Sequence, residues 1–160
     1  MPKLTQVKET KRGRYALFFD GEFAFSLDED TFAMAGLHTG DELEEWQIHD
    51  LQTKSDTRKA VDKAMDLLAL RDHAAGELYQ KLCRSFDPHS AAAAVAKMQE
   101  LNLLDDAGFA RRRAAELLRK RKSRRAILDD LHAKGIDRGA AAEAVEALFA
   151  QSEEDEEENP

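Results

Sequence analysis

The chain has 160 residues, 42% of them hydrophobic and 35% charged, with a formal net charge of −8. That suffices for one domain or two small ones with a modest core, and no apolar run approaches the roughly 20 residues that cross a bilayer. A single cysteine, Cys83, excludes an intramolecular disulfide and reads as a small core residue in a reducing cytoplasm.

The first residues, Met1-Pro2-Lys3-Leu4-Thr5, lack the apolar core of a signal peptide. Leu4 to Val7 reads as a strand beyond the Arg12-Gly13 turn. Tyr15 to Phe19 and Glu22 to Leu27 flank Asp20-Gly21, a strong two-residue hairpin signal. That turn sets Phe18 opposite Phe23 and Ala16 opposite Phe25, so these aromatics are expected in a core rather than as platforms for bases. Short helices are expected at Glu29 to Ala35, stopped by Gly36, and at Asp41 to about Thr53, with Trp46 packed on the sheet. Residues 1–54 thus form a small β-rich module, too thin to be stable unless it docks on the helical remainder of the chain.

From Arg58 the period becomes helical. Helices are predicted near residues 58–70, 74–84, 88–101, 106–121, 124–133 and 138–150. Asp87 caps a helix whose first residue is Pro88, Asp137 stands in the equivalent place further on, and Gly135 suits a left-handed helix end. Leu78, Leu82, Phe86, Asp87, Val95 and Met98 recur as Ile127, Leu131, Ile136, Asp137, Val145 and Leu148. A helical repeat of that period implies stacked units sharing a core, with function on a surface. The fold class is therefore mainly α: tandem three-helix repeats, residues 55–103 and 104–150, behind the β-hairpin module. Leu104 and Phe109, at the seam, are expected to be buried between them. Residues 151–160 form an acidic tail without apolar side chains, expected to be disordered.

Charge is segregated. Between Asp20 and Asp50 stand ten acidic residues and no Lys or Arg, whereas Arg111 to Arg125 hold nine basic residues and one acid, Glu116. On a helix beginning near Asp106, the basic residues Arg111, Arg112, Arg119 and Lys122 gather opposite Phe109, Ala114 and Leu117. Arg124 and Arg125 extend the patch. With so little balancing acid, these six residues are the candidate contact surface for a partner, either phosphate or an acidic protein groove. Asp105 reads as the cap of the basic helix. The histidines at 38, 49, 73, 89 and 132 have no ligand spacing, no Gly-rich phosphate loop is present, and no nucleophile has an activating partner. Neither enzyme activity, metal nor cofactor is expected. The six negatives from Glu153 to Glu158 either solubilise the chain or fold back over Arg111 to Arg125.

Leu104-Asp105-Asp106 followed by Phe109-Ala110 ahead of a basic helix, then Lys134-Gly135-Ile136, resembles the RecX family of regulators of the RecA recombinase. Glu77-Leu78, Lys81-Leu82, Ile127 and Leu131 belong to the same ordered set, and Gly21 to Phe25 with Asp28-Glu29-Asp30 is similar to the N-terminal extension of some members. The resemblance implies a curved helical array that binds RecA filaments on single-stranded DNA, directly or through RecA. It would restrain strand exchange, ATP hydrolysis and co-protease activity as a monomer, away from membranes, in recombination, repair and the SOS response. Many members carry a third three-helix unit, whereas two are read here. Cys83-Arg84-Ser85-Phe86 lacks the glycine of the second unit's turn. The alternative function is a helical DNA-binding module with a transcriptional or chromosome-organising role, which should hold duplex at physiological salt without RecA.

Overall fold

A computed structural model describes residues 1–158, with side chains described to residue 154. The chain divides into two compact units, Met1–Asp62 and Lys63–Pro160.

The first unit is built on strands β1 (Leu4–Glu9), β2 (Tyr15–Phe19) and β3 (Glu22–Leu27), an antiparallel sheet in that spatial order. Asp20 and Gly21 both take positive φ, 50° and 83°, as a tight hairpin turn requires. Phe18 pairs with Phe23, as its distance from the turn predicts, but an irregularity between Leu17 and Phe18 then shifts the register. Ala16 faces Ser26, and Phe25 pairs with Leu17. One unpaired residue reverses the alternation of faces, which sequence spacing cannot reveal. The buried face consequently carries Leu4, Leu17, Phe19, Phe25 and Leu27. Phe18 and Phe23 meet edge to face at 5.7 Å on the opposite side, with Phe23 exposed.

Helix α1 (Glu29–Ala35) has the expected bounds: the Asp28 side chain accepts from the Thr31 amide, and Gly36 closes the helix at φ 61°. Phe32 stacks on Tyr15, the ring centroids 4.4 Å apart. Helix α2 (Glu45–Leu70) is continuous, where the sequence predicts two helices and a module boundary at residue 54. No Gly or Pro stands between Gly40 and Gly76, so nothing in the intervening polar segment breaks the helix. Leu43 and Leu51 are buried against the sheet core, with Ile48 partly so. Trp46 is not part of it, being 65% exposed. Arg14 ties α2 to the hairpin, donating to Ser26 Oγ at 3.0 Å and Ser55 Oγ at 3.1 Å.

The second unit carries α3 (Ala75–Leu82), α4 (Pro88–Glu100), α5 (Asp106–Arg119), α6 (Arg124–Ala133) and α7 (Arg138–Glu158). Capping recurs: Asp87, Asp105, Ser123 and Asp137 each accept from the amide three residues on. Leu78 and Leu82 are fully buried, as are their counterparts Ile127 and Leu131, and Met98 is fully buried where its counterpart Leu148 is partly so. Phe109 lies in a core with Leu117, Ile127, Leu131, Ile136 and Val145, to which Ala74, just ahead of α3, also belongs. Leu104 is only half-buried, since its neighbours Leu103 and Asp105 lie exposed in a surface connection. Helix α5 ends at Arg119 rather than 121, because Arg121 turns left-handed at φ 62° and the Lys122 amide bonds back to the Leu117 carbonyl. Helix α7 continues to Glu158 into the acidic segment expected to be disordered. Glutamate propagates a helix well once a packed turn has nucleated it. Of the side chains expected to fold back, Glu153 and Glu154 are exposed and the others lie outside the described residues. Among the described residues no helix is long and apolar enough to cross a membrane.

A candidate anion-binding groove at the repeat junction

Two short segments of the second unit interlock. Gly76, in the first turn of α3, lies against Gly135, so closely that a Cβ on Gly76 would sit 2.8 Å from the Gly135 Cα. Gly135 is doubly constrained, since its φ of 84° is also the left-handed end of α6. Beside it Lys134 Nζ reaches Glu77 Oε2 at 3.3 Å, and Arg71 donates to the same oxygen at 2.9 Å. Asp106 Oδ1 accepts from the Ala75 amide at 2.8 Å, while Asp105 caps α5 through the Gly108 amide at 3.0 Å. The adjacent aspartates therefore do different work. One starts the basic helix and the other supplies the cap that Ala74 cannot give the N-terminus of α3. Glu77, Asp106, Lys134 and Gly135 thus meet at one junction, a convergence that linear spacing does not show.

Burial alone would raise the Glu77 carboxyl, but hydrogen bonds from Arg71 and Lys134 prevail and hold it below the usual carboxylate range. Its Oε1 is buried with no partner among the described residues. His73 Nδ1 faces the Arg71 carbonyl at 2.9 Å and Nε2 faces Lys81 Nζ at 2.8 Å. Nδ1 therefore carries the proton, and Nε2 accepts from the ammonium. Burial and the neighbouring cations Arg71 and Lys81 push the His73 pKa down.

Around this junction runs a concave surface. A groove of about 650 Å³ is lined by Arg71, Arg112, Arg113, Arg119 and Lys134, with Asp72 and Glu116 its acids. A second hollow of about 320 Å³ shares Arg71 and Lys134 and adds Lys81 and Arg84. Of the six candidate residues, Arg112 and Arg119, seven apart on α5, come together in the groove. Arg112 also meets Asp72 at 3.2 Å. The other four do not line it. Arg111 and Lys122 are exposed, Lys122 lying beyond the end of α5. Arg124 lies over the Phe149 ring, 4.9 Å from its centroid, and Arg125 is exposed within 4.0 Å of Asp129. Arg113, from the same basic run, is structural, donating to both Asp130 oxygens at 2.9 and 3.0 Å and so joining α5 to α6. The Asp130 carboxyl is held below its usual range by that guanidinium, against burial. Sequence reasoning missed Arg71 and Lys134 because they lie outside the basic run. The available signal was Lys134 within the Lys134-Gly135-Ile136 turn. No group of three or more His, Cys, Asp or Glu able to hold a metal occurs among the described residues.

No family model matches the chain. A protein named Regulatory protein RecX from Caldanaerobacter subterraneus is 27% identical over 149 residues, covering 92% of this chain and 76% of that protein. Proteins of the same name from Lactobacillus gasseri and Lactobacillus delbrueckii are 31% and 36% identical, covering 98% and 86% of this chain. The chain belongs to the RecX family. A solved structure described as regulatory protein RecX shares its fold, with a TM-score of 0.67 at 24% identity over 92% of this chain and 74% of that one. The chain spans just over half the length of the two Lactobacillus RecX proteins. In this RecX chain the basic groove lies at the junction where the family-like residues converge.

Proposed function

We propose that this chain is a non-enzymatic, negative regulator of RecA that binds RecA filaments on single-stranded DNA in the cytoplasm. The groove lined by Arg71, Arg112, Arg119 and Lys134 is the observation that carries this reading, beside membership of the RecX family. Its cations outnumber its acids, and a concave basic surface attracts either the phosphates of the strand or carboxylates of the filament protein. Arg111, Lys122, Arg124 and Arg125 are exposed on the same unit and add further attractive charge. The proposed partner is the filament, bound by a monomer of this chain.

Titrating labelled single-stranded DNA, bare and coated with RecA, against the native chain and an Arg112→Glu, Arg119→Glu variant tests the proposal. The variant should bind the filament about 1–3 kcal/mol more weakly, as when charge-assisted contacts are lost. Its unfolding temperature should hold, because both side chains are exposed. Unchanged filament binding would refute the groove. Tight duplex binding at physiological salt without RecA would favour a dedicated DNA-binding module.

A further inference from the structure

The first unit has a groove of opposite character. Between α1 and the first turns of α2 lies a hollow of about 450 Å³, lined by Thr31, Met34, Ala35, Leu37, Leu43 and Trp46 and continuing to Gln47, Asp50, Leu51 and Lys54. Leu43 and Leu51 belong to the sheet core, so the floor is firm. The rims are Met34, 89% exposed, and Trp46, 65% exposed, two large apolar side chains left in water on this unit. Neither supports the fold, and Met and Trp are the residue types enriched where proteins bind one another. The size is within the roughly 300–1,000 Å³ of sites that enclose a ligand or anchor side chain.

Charge identifies the occupant. Glu44 accepts a hydrogen bond from the Trp46 indole, which fixes a carboxylate at the edge of the ring. Asp50, one turn further along α2, holds Lys54 at 3.0 Å, but both side chains are more than half exposed and the pair is weak. The whole segment from Asp20 to Asp50 holds ten acids without a Lys or Arg. A cation over Trp46 would meet the ring face and the Glu44 carboxylate together. We infer that this groove docks a partner protein through a Lys/Arg-rich segment carrying one bulky apolar anchor, a binding site separate in residues and in charge from the basic groove. The basic run of this chain is not that segment, because its leucines Leu117 and Leu118 pack in the core of the second unit.

Trp46 is the only tryptophan, so its emission reports occupancy directly. The full chain is titrated with a short synthetic peptide bearing one Phe among Lys and Arg, free of Trp. Parallel titrations use the same peptide with Phe→Ala and with its cations replaced by Glu. A saturable change in Trp46 emission is expected with the first peptide, with at least about tenfold weaker binding for each control, the loss typical of removing an anchor or reversing its charge. Met34→Ala and Asp50→Lys should each weaken the first peptide by about tenfold while helical content stays constant. Three results would overturn the inference: no saturable change, equal binding of either control peptide, or binding undiminished in both variants. Trp46 emission that varies with protein concentration alone would instead assign the groove to a second copy and also overturn it.

Discussion

Alanine at Gly76 isolates the contact that locks the repeats together. Its Cβ would stand 2.8 Å from the Gly135 Cα and 2.9 Å from the Gly135 carbonyl oxygen, where carbon atoms prefer about 3.5–4.0 Å. The obstructing atoms are backbone in a left-handed turn, so no side-chain rotation relieves the clash. Overpacking of this kind costs about 1–3 kcal/mol, and an unyielding wall places Gly76 in the upper part of that range. Alanine returns up to about 1 kcal/mol in helix propensity. The net expectation is a loss of about 1–2 kcal/mol. Weaker filament binding should accompany it, since displacement of Gly135 moves Lys134 away from Arg71. Urea denaturation followed by far-ultraviolet circular dichroism measures the first, and anisotropy of labelled RecA-coated DNA the second. Gly139→Ala is the control. It too is helical, but its Cβ would meet only the Asp137 carboxylate, at 3.2 Å, so it should be near neutral or mildly stabilising. If Gly76→Ala stabilised the chain as much as the control, the close approach of the two glycines would be refuted.

Phe109→Ala should cost about 3–5 kcal/mol, because the ring is 8% exposed in the core of the second unit; a melting temperature within a degree or two of the parent would contradict that packing. Arg113→Ala removes both hydrogen bonds to Asp130 and should cost about 1–3 kcal/mol. The Asp130 pair stabilises above the ordinary aspartate pKa of about 3.9, and its contribution is lost as pH falls through the depressed folded value. The variant should therefore show a shallower acid limb in denaturation midpoints. His73 acts at milder pH: its folded pKa lies below the unfolded one, so the unfolded chain takes up the proton first. Stability is full above about 6.5 and declines as pH drops below it. His73→Gln should flatten that slope, and an unchanged slope would show that His73 does not titrate against folding.

The helices of the second unit were legible because caps and apolar period agreed: Asp87-Pro88, Asp105 and Asp137 mark starts, and Leu78, Leu82, Ile127 and Leu131 mark the inward face. The N-terminal sheet was legible in its turn but not in its face, because a single irregularity at Leu17 and Phe18 exchanges the exposed and buried sides. Trp46 misled for a related reason. Size argues for burial, yet Leu43 and Leu51 already fill the space over the sheet, leaving the indole outside. Half the basic site escaped reading, since a charge run locates cations along the chain and not around a groove. Arg113 belongs to the run but serves Asp130, while Arg71 and Lys134 lie far from it in sequence and stand beside Arg112 and Arg119 in space. The junction that brings them together depends on two glycines and a long-range cap, neither of which leaves a local signature.

Regulation of RecA is tested most directly by single-strand-dependent ATP hydrolysis. RecA assembled on single-stranded DNA is titrated with the native chain and with the Arg112→Glu, Arg119→Glu variant, and the steady-state rate is followed. Hydrolysis should fall in a saturable, dose-dependent way with the native chain at or below equimolar ratio, and the variant should require a higher concentration for the same effect. A rate indifferent to the native chain across that range would contradict the account.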